Sequence, residues 1–346
     1  AIAAAREALN LEIRQKGMAG RAHVPRLRLY ISDQTHSSVE KGAIALGIGQ
    51  EGVRKIATDR AFQMRPDVLK KAIDADLAAG WLPFMVTATV GTTATTSVDP
   101  VVKIGAICRE YSLWLHVDAA YGGAAGLSRE RPGILDGIHR ADSVTVDAHK
   151  WFFVPFVAGG ILFRDRGFAE EVFQNAAGYI PSSEAADQPP TDYLKQGLAG
   201  TRRFNALKVW MDLKHLGADW YADTVDRQLR LTHKVAEAVE GLPGWSIAVP
   251  PATAIVTFRY EPDEVRKAIT RGGADAEQAL KKRDRMQIRI AKVIQKEGRF
   301  WVSAAPVPGG FALRLNVISW LTDEPLVDAF LADLPRYARE ATPGRS

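Results

Sequence analysis

The stretch SVTVDAHKWFF, residues 143–153, decides the fold of this chain and indicates its chemistry. Its first four residues form an apolar run of strand length, and Lys150 follows shortly after that run ends. Three aromatic residues come directly after Lys150. Burial beside aromatic rings removes water from an amine and makes it a better nucleophile. The pattern therefore favours a lysine held for covalent chemistry over a lysine that serves only as a surface charge.

Apolar runs of strand length alternate with helical patterns from residue 27 to residue 164. Most of these runs are apolar throughout, which is typical of strands buried on both faces of a parallel sheet. The predicted fold class is α/β, with a mostly parallel, doubly wound sheet. We expect Ser37 or Ser38 to cap the helix that follows the first strand. The predicted strands are 27–31, 83–90, 113–117, 143–146 and 159–163.

Polar residues lie just past the ends of these strands. They include His36, Thr93, Asp118 and Lys150. Because ligands in doubly wound sheets bind at the carboxyl ends of the strands, these side chains are predicted to form one site. Each also has an ordinary interpretation, as a helix cap, a turn residue or a solvated charge. An amine facing a carboxylate is what pyridoxal 5'-phosphate requires, since a lysine binds its aldehyde and an acid pairs with its ring nitrogen.

The chain is predicted to have two domains. Residues 1–215 form a large cofactor-binding α/β domain, and residues 216–346 form a small C-terminal α+β domain. Within the first, residues 176–200 are rich in Ser, Pro and Gly and predict a long mobile loop. The chain opens in a helical pattern with no cap, so we expect the N-terminal part of the large domain to lie outside this sequence.

Composition narrows the class of protein. The chain of 346 residues has a net charge of +5 and a pI near 9.2. A basic protein of this kind is a candidate for binding nucleic acid. The densest basic stretch, KKRDR at 281–285, has acidic neighbours on a predicted helix, so we predict a solvated surface and no nucleic acid. Cys108 is the single cysteine, and no apolar run spans a membrane. We expect a cytoplasmic protein with no membrane span and no metal site.

Five segments together resemble the group II pyridoxal-phosphate-dependent amino-acid decarboxylases, and among them the aromatic-L-amino-acid decarboxylase branch. The most specific are HVDAAYGG and the later AHKW. The resemblance runs from about residue 1 to about residue 340, and it implies the fold type I PLP-dependent transferase fold, pyridoxal 5'-phosphate as cofactor and a homodimer. The segments are SDQTHSSVEKGA, VGTTATTSVDP, HVDAAYGG, VDAHKW and LAGTRRFNALKVW.

The resemblance also implies a role for each matching residue. Lys150 would hold the cofactor covalently, Asp118 would pair with the ring nitrogen, and Ala120 would pack beneath the ring. His36 would stack above it. Asp147 stands where animal members carry Asn, and its role is left open. The other implied positions are Thr93 near the ring hydroxyl and the substrate carboxylate, His149 at the phosphate, Tyr179 as proton donor in the loop, and Thr201 and Arg314 near the substrate.

The predicted function is decarboxylation of an L-amino acid, which the resemblance implies is aromatic, to the amine and carbon dioxide. One alternative is an aldehyde synthase or another lyase on the same fold, because related synthases carry Phe where this chain has Tyr179. Another is a non-catalytic fragment that dimerises with an intact homologue. The segment that cradles the phosphate in the family is expected to lie outside this sequence, which keeps that alternative open.

Overall fold

The computed structural model describes residues 1–165, 167–174 and 193–342. Apart from one short strand at Val53–Ile56, its strands follow the order that the sequence predicts as far as residue 163. The helices are α1 (Ile2–Glu7), α2 (Ile13–Lys16), α3 (Ser37–Ala45), α4 (Pro66–Ala78), α5 (Val101–Glu110), α6 (Phe168–Phe173), α7 (Asn205–Gly241), α8 (Asp263–Arg271), α9 (Gly273–Glu297) and α10 (Glu324–Ala341). The strands are β1 (Leu27–Ser32), β2 (Val53–Ile56), β3 (Leu82–Thr89), β4 (Trp114–Asp118), β5 (Ser143–Val146), β6 (Gly160–Phe163), β7 (Trp245–Val249), β8 (Ile255–Tyr260), β9 (Ser303–Val307) and β10 (Gly310–Asn316).

The first six strands form one sheet in the order β2-β1-β3-β4-β5-β6. The pairs from β2 to β5 are parallel, and β6 runs antiparallel to β5. The predicted α/β class and mostly parallel sheet are confirmed. All five predicted strands form, with bounds shifted by at most two residues. The strand β2 was not predicted, because its sequence VRKI has charged residues at its centre.

A second, antiparallel sheet of order β7-β8-β10-β9 packs with α7, α9 and α10. This is the small α+β unit that the sequence predicts at the C-terminal end. The predicted boundary after residue 215 falls inside α7, next to Gly217, whose backbone (φ 79°) interrupts the helix. The two units share one hydrophobic core, in which Leu115 of the first belongs to the same cluster as Ile290 of the second. The exact boundary stays a prediction.

The two faces of the central strand β4 have different neighbours. Since side chains alternate along a strand, Leu115 and Val117 point to one face, where they join the main core. Trp114, His116 and Asp118 point to the other face, where Trp114 belongs to the same hydrophobic cluster as Ala4 and Ala5 of α1. This second face ends at the carboxyl edge of the sheet, so its last residue, Asp118, reaches the region where the site was expected.

A buried charge cluster fixes α4 to the outer strands. Asp76 of α4 is 3% exposed and accepts a hydrogen bond from the Tyr30 hydroxyl at 2.9 Å. Its carboxylate also pairs with Arg54 at 2.7 Å and with Arg28 at 3.3 Å. The Arg28 guanidinium stacks on the Trp81 ring, 3.4 Å from the ring centroid. Because the acid and Arg28 are both buried, each depends on the other for compensation of its charge.

The basic stretch 281–285 lies on α9, and its lysines are paired. Lys281 contacts Glu277 at 2.6 Å, and Lys282 contacts Glu264 at 2.8 Å. These exposed pairs agree with the prediction of a solvated helix face at the two lysines, but the prediction is wrong at Arg283, which is 5% exposed and pairs with Glu261 at 3.1 Å. Across the residues that the structure describes, no helix has the length and apolar character needed to cross a bilayer.

Candidate active site

A cavity of about 610 Å³ opens at the carboxyl ends of β3, β4 and β5, against the first turn of α1 and the start of α3. It brings together five of the predicted site residues, which are His36, Thr93, Asp118, Ala120 and Lys150. A larger groove of about 1100 Å³ lies between α8 and α9, but its lining includes none of the predicted site residues, and two of its basic residues, Lys281 and Lys282, are ion-paired. We therefore place the site in the smaller cavity.

Asp118 is the last residue of β4 and forms part of the cavity wall. The Ala120 N–H donates a hydrogen bond to its Oδ1 at 3.1 Å. Burial raises the pKa of Asp118, while this backbone bond and the charge of Lys150 act in the opposite direction. A positive partner inside the cavity would offset the cost of burying this carboxylate. A protonated ring nitrogen is such a partner.

Lys150 reaches the same cavity from the turn after β5, with its side chain 38% exposed. Its Nζ lies 2.9 Å from Oδ2 of Asp147, and the Lys150 N–H bonds to the Asp147 carbonyl across the same turn. Asp147, whose role the sequence left open, is therefore the counter-ion of Lys150. Gly159 leaves space for this acid, because a Cβ there would lie 2.8 Å from Asp147 Oδ1.

The loops that follow β3 and β4 lie close to each other and make the cavity narrow. Gly91 has φ +83°, and a Cβ on it would lie 3.2 Å from the Cα of Gly122. A Cβ on Gly122 would clash with the Val90 carbonyl oxygen. Glycine at both positions therefore allows the loops after β3 and β4 to touch. With Ala120 beside them, these small residues leave room for a flat ring against the wall.

His36 occupies the N-cap position of α3, and its side chain is exposed at the mouth of the cavity. Its Nδ1 accepts from the Ser38 N–H at 3.3 Å and lies 2.8 Å from the Ser38 hydroxyl. The prediction that Ser37 or Ser38 caps this helix is wrong, because the histidine ring takes that place. The cap holds the imidazole at a fixed position beside the cavity.

Arg314 lies behind the cavity rather than on its wall. It belongs to β10 of the second sheet, and its Nε donates to the Thr93 carbonyl at 2.6 Å. Thr93 lines the cavity, so the arginine holds a wall residue in position. Burial lowers the pKa of Arg314, and the nearby Tyr121 acts in the opposite direction.

Two other predicted residues, His149 and Thr201, do not line the cavity, and a third lies outside the described residues. His149 lies beside Lys150, but its Nδ1 is 2.9 Å from the carbonyl oxygen of Ala158 and its Nε2 is 4.0 Å from Asp147. Thr201 is exposed and does not line the cavity. Tyr179 lies outside the described residues, as does most of the predicted loop 176–200. The roles implied for these residues stay predictions.

Trp151 anchors the lysine that precedes it. The indole is fully buried, and its N–H donates to Gln228 Oε1 of α7 at 2.6 Å. Its ring stacks on Tyr121, with centroids 5.2 Å apart and an interplanar angle of 21°. Tyr121 also lines the cavity and donates its hydroxyl to Asn316 at 2.7 Å. The aromatic pair thus connects the Lys150 turn to the loop after Asp118 and to the second sheet.

The sequence analysis missed several polar residues of the wall. Thr89 and Thr145 flank Asp118 on the neighbouring strands, paired with it in register. His116 lies two residues before Asp118 and also lines the cavity. The alternation of side chains along LWLHVD could have placed His116 on the Asp118 face. The two threonines could not be found in this way, because their position depends on the register between strands.

The wall residues fit the ring and aldehyde of pyridoxal phosphate. An amine, a carboxylate and small residues meet in one cavity. In addition, Oγ1 of Thr89 is buried and has no hydrogen-bond partner within the described residues. A buried hydroxyl in a native structure normally has a partner, so this one indicates that a polar ligand completes the site.

Several decarboxylases are similar to this chain. The aromatic-L-amino-acid decarboxylase of Bacillus atrophaeus is 36% identical over 242 residues, covering 70% of this chain and 50% of the relative. Tyrosine decarboxylase 2 of Arabidopsis thaliana is 31% identical, covering 93% of this chain and 57% of the relative. Phenylacetaldehyde synthase of the same plant is 30% identical, covering 88% of this chain and 60% of the relative. This chain therefore spans about half to three fifths of the length of these relatives.

Solved structures of similar proteins share the fold. Mouse CSAD in apo form superposes with a TM-score of 0.88 at 27% identity, covering 97% of this chain and 68% of that one. Oryza sativa TDC, solved with PLP and tryptamine, has a TM-score of 0.86 at 29% identity, covering 99% of this chain and 68% of that one. The pyridoxal-dependent decarboxylase conserved domain matches residues 1–261. The chain belongs to the pyridoxal-dependent decarboxylase family.

Proposed function

We propose that this chain is the main catalytic part of an enzyme that decarboxylates an aromatic L-amino acid to its amine with pyridoxal 5'-phosphate. One observation carries the proposal: Lys150 and Asp118 meet in one cavity at the carboxyl ends of adjacent strands. When bound, the cofactor supplies an aldehyde for an amine and a ring that takes up the electrons left behind by carbon dioxide. Family membership and the Oryza sativa structure solved with PLP support this choice of cofactor.

Each residue of the cavity wall has a separate role in the proposed reaction. Lys150 supplies the amine, and Asp118 holds a proton at the ring nitrogen by its negative charge. Ala120 leaves space for a flat ring, and His36 lines the same cavity from the start of α3. Thr93 lines the cavity, its backbone carbonyl is held by Arg314, and the resemblance implies that it lies near the substrate carboxylate.

Decarboxylation is favoured over aldehyde synthesis by Tyr179. After carbon dioxide leaves, a proton must reach the substrate carbon before oxygen does, and a phenol with a pKa of about 10 is a competent donor. The resemblance implies Phe at this position in aldehyde synthases. Product analysis under air tests this step, since a Tyr179→Phe variant is expected to divert product from amine to aldehyde, ammonia and peroxide. An unchanged amine yield would remove Tyr179 from the mechanism.

A homodimer is part of the proposal, and an exposed apolar surface supports it. Leu162 of the edge strand β6 is 64% exposed, and Phe156 in the preceding loop is 82% exposed. Phe204 and Trp210, at the start of α7, are 72% and 59% exposed. The Lys208 ammonium bonds to backbone carbonyls of the same loop, so these apolar residues lie near one another. A second copy of the chain is the occupant that family resemblance implies. A cytoplasmic location also stays a prediction.

Covalent trapping tests the central assignment. Pyridoxal phosphate is added to the protein, the adduct is reduced with borohydride, and the modified tryptic peptide is identified by mass. We expect the label on Lys150, and we expect Lys150→Ala to lose both label and turnover. Lys281→Ala, which removes an exposed lysine of α9, is the matched control and should keep both. A label on another lysine would overturn the assignment. If the label is on Lys150, a panel of aromatic amino acids would identify the substrate.

A further inference from the structure

Three polar side chains of the second sheet lie behind the cavity. Arg314 on β10 pairs in register with Thr257 on β8, so their side chains leave the same face of that sheet side by side. Asn316 follows two residues after Arg314 and leaves the same face, because side chains alternate along a strand. The described lining of the cavity includes none of the three. We refer to Thr257, Arg314 and Asn316 as the polar row.

Two members of the polar row bond to successive carbonyl groups of the loop after β3. Arg314 Nε donates to the Thr93 carbonyl at 2.6 Å. The Thr257 hydroxyl, on a residue that is 0% exposed, donates to the Ala94 carbonyl at 2.9 Å. Because the two donors are neighbours across a strand pair, the second sheet sets the distance between them. The backbone on either side of Thr93 therefore takes its position from that sheet.

The third member of the polar row bonds to the loop after β4. The Tyr121 hydroxyl donates to Asn316 Oδ1 at 2.7 Å. Tyr121 lines the cavity and stacks on Trp151, which directly follows Lys150. The polar row thus contacts both of the loops that make the cavity narrow.

The backbone of Thr96 shows how firmly the second unit holds the loop after β3. Thr96 has φ 54°, a conformation that is rare for a β-branched residue and costs free energy. Its Oγ1 accepts hydrogen bonds from the Thr253 N–H at 2.9 Å and from the Ala252 N–H at 3.2 Å. Both donors belong to the segment that leads into β8. Contacts with the second unit therefore stabilise a loop conformation that is strained by itself.

We propose that the polar row positions the cavity wall: Thr257, Arg314 and Asn316 place Thr93 and Tyr121, so the C-terminal unit shapes a site that these three residues do not line. The inference rests on the proposed function, because the wall is the one that would hold pyridoxal phosphate. The same hydrogen bonds also provide partners for backbone carbonyls. A role limited to that predicts a loss of stability alone, whereas a positioning role predicts a loss of cofactor affinity as well.

The test is the affinity of the full chain for pyridoxal phosphate, measured by absorbance titration at one pH. Thr257→Val keeps the shape of the side chain and loses the hydroxyl, and we expect it to weaken binding about threefold to fivefold, as the loss of one neutral hydrogen bond predicts. Thr257→Ser keeps the donor and should stay within about twofold of the wild type. Neither change alters a charge, so the Ala1 amino group, Lys150 and the other titratable groups of the cavity are the same in each protein.

Thr342→Val is the matched control. The Thr342 hydroxyl donates to the Ala338 carbonyl at 2.7 Å, at the end of α10 and outside the described lining of the cavity. Its loss should lower the urea midpoint of unfolding without changing the affinity. If Thr257→Val also lowers the urea midpoint and leaves the affinity at the wild-type value, the bond to Ala94 is structural only and the inference is wrong.

A double variant tests whether Thr257 acts through Thr93. Thr93→Ala removes a side chain that the resemblance implies is near the ring, so it should weaken binding by itself. If Thr257 acts by placing that side chain, Thr257→Val should cause no further loss in the Thr93→Ala background. Equal losses in both backgrounds would overturn the inference while leaving the enzyme a pyridoxal phosphate enzyme. If the wild type itself captures no cofactor on Lys150, the proposed function fails, and the inference fails with it.

Discussion

Replacing Trp151 by phenylalanine should destabilise the protein and weaken the site at the same time. The indole N–H is the donor to Gln228 Oε1, so the change leaves a fully buried acceptor without it. Such a loss costs about 1–3 kcal/mol. The smaller ring also leaves a gap where Trp151 is 0% exposed, at a further cost of about 1–2 kcal/mol. The free energy of unfolding should fall by about 3 kcal/mol, which lowers Tm by roughly 6 °C at about 2 °C per kcal/mol.

Thermal unfolding followed by circular dichroism measures this change, and Trp320→Phe is the matched control. Trp320 is 50% exposed and makes an edge contact with the Trp220 ring at 6.4 Å, so its replacement should cost less than about 0.5 kcal/mol. Because Trp151 directly follows Lys150, its variant should also bind pyridoxal phosphate several-fold more weakly, whereas the control should not. Equal Tm values for the two variants would refute the argument that Trp151 anchors the Lys150 turn.

Three further predictions concern the buried charges and the close backbone contacts. Asp76→Asn should lower the free energy of unfolding by about 3 kcal/mol, because the arginine charge beside it loses its partner. Urea titration measures this change, and the exposed control Asp67→Asn should leave the urea midpoint of unfolding unchanged. Gly122→Ala should lower the free energy of unfolding by about 1–3 kcal/mol and weaken cofactor binding, because its Cβ would clash with the Val90 carbonyl. Gly241 has open space around it, so Gly241→Ala should change neither stability nor binding. Burial lowers the pKa of His116 from 6.5 in the unfolded chain to about 3 in the folded protein. Its contribution to the free energy of unfolding is therefore complete above pH 6.5 and is lost as pH falls towards 3. Between pH 6.5 and 4.5 the wild type should lose about 2–3 kcal/mol more than His116→Gln, and parallel pH profiles would contradict this.

The sequence was sufficient to predict the sheet and the residues at its edge. The buried strands are apolar throughout, so their ends could be located, and Asp118 and Lys150 meet as expected because parallel strands end at the same edge. The strand β2 was missed because Arg54 and Lys55 interrupt its apolar pattern. The position of His149 next to Lys150 in the sequence could not show that its Nδ1 faces the backbone of Ala158.

The residues beside Asp118 illustrate a second limit of sequence reasoning. Thr145 and Thr89 are far apart along the chain, and each is unremarkable in its own segment. They become neighbours of Asp118 only through the register of β3, β4 and β5, which a shift of one residue would reverse. The hydrogen bonds from Ser143 through His116 to Thr145 depend on the same register. A polar network of this kind is therefore a property of strand pairing, which a single sequence does not specify.

Asp147 forms an ion pair with Lys150, and this pairing explains how an acid can lie near a phosphate site. An acid close to an anionic cofactor is unfavourable, and this chain has Asp147 three residues before Lys150, the lysine proposed to hold the cofactor. In the structure its carboxylate lies 2.9 Å from Lys150 Nζ, and Gly159 gives it the space to do so. The pair presents little net charge to an incoming phosphate as long as the lysine is an ammonium ion. Under the proposed function, Asp118 would then be the carboxylate of the wall that pairs with a protonated ring nitrogen, and this pairing would leave the aldehyde facing Lys150.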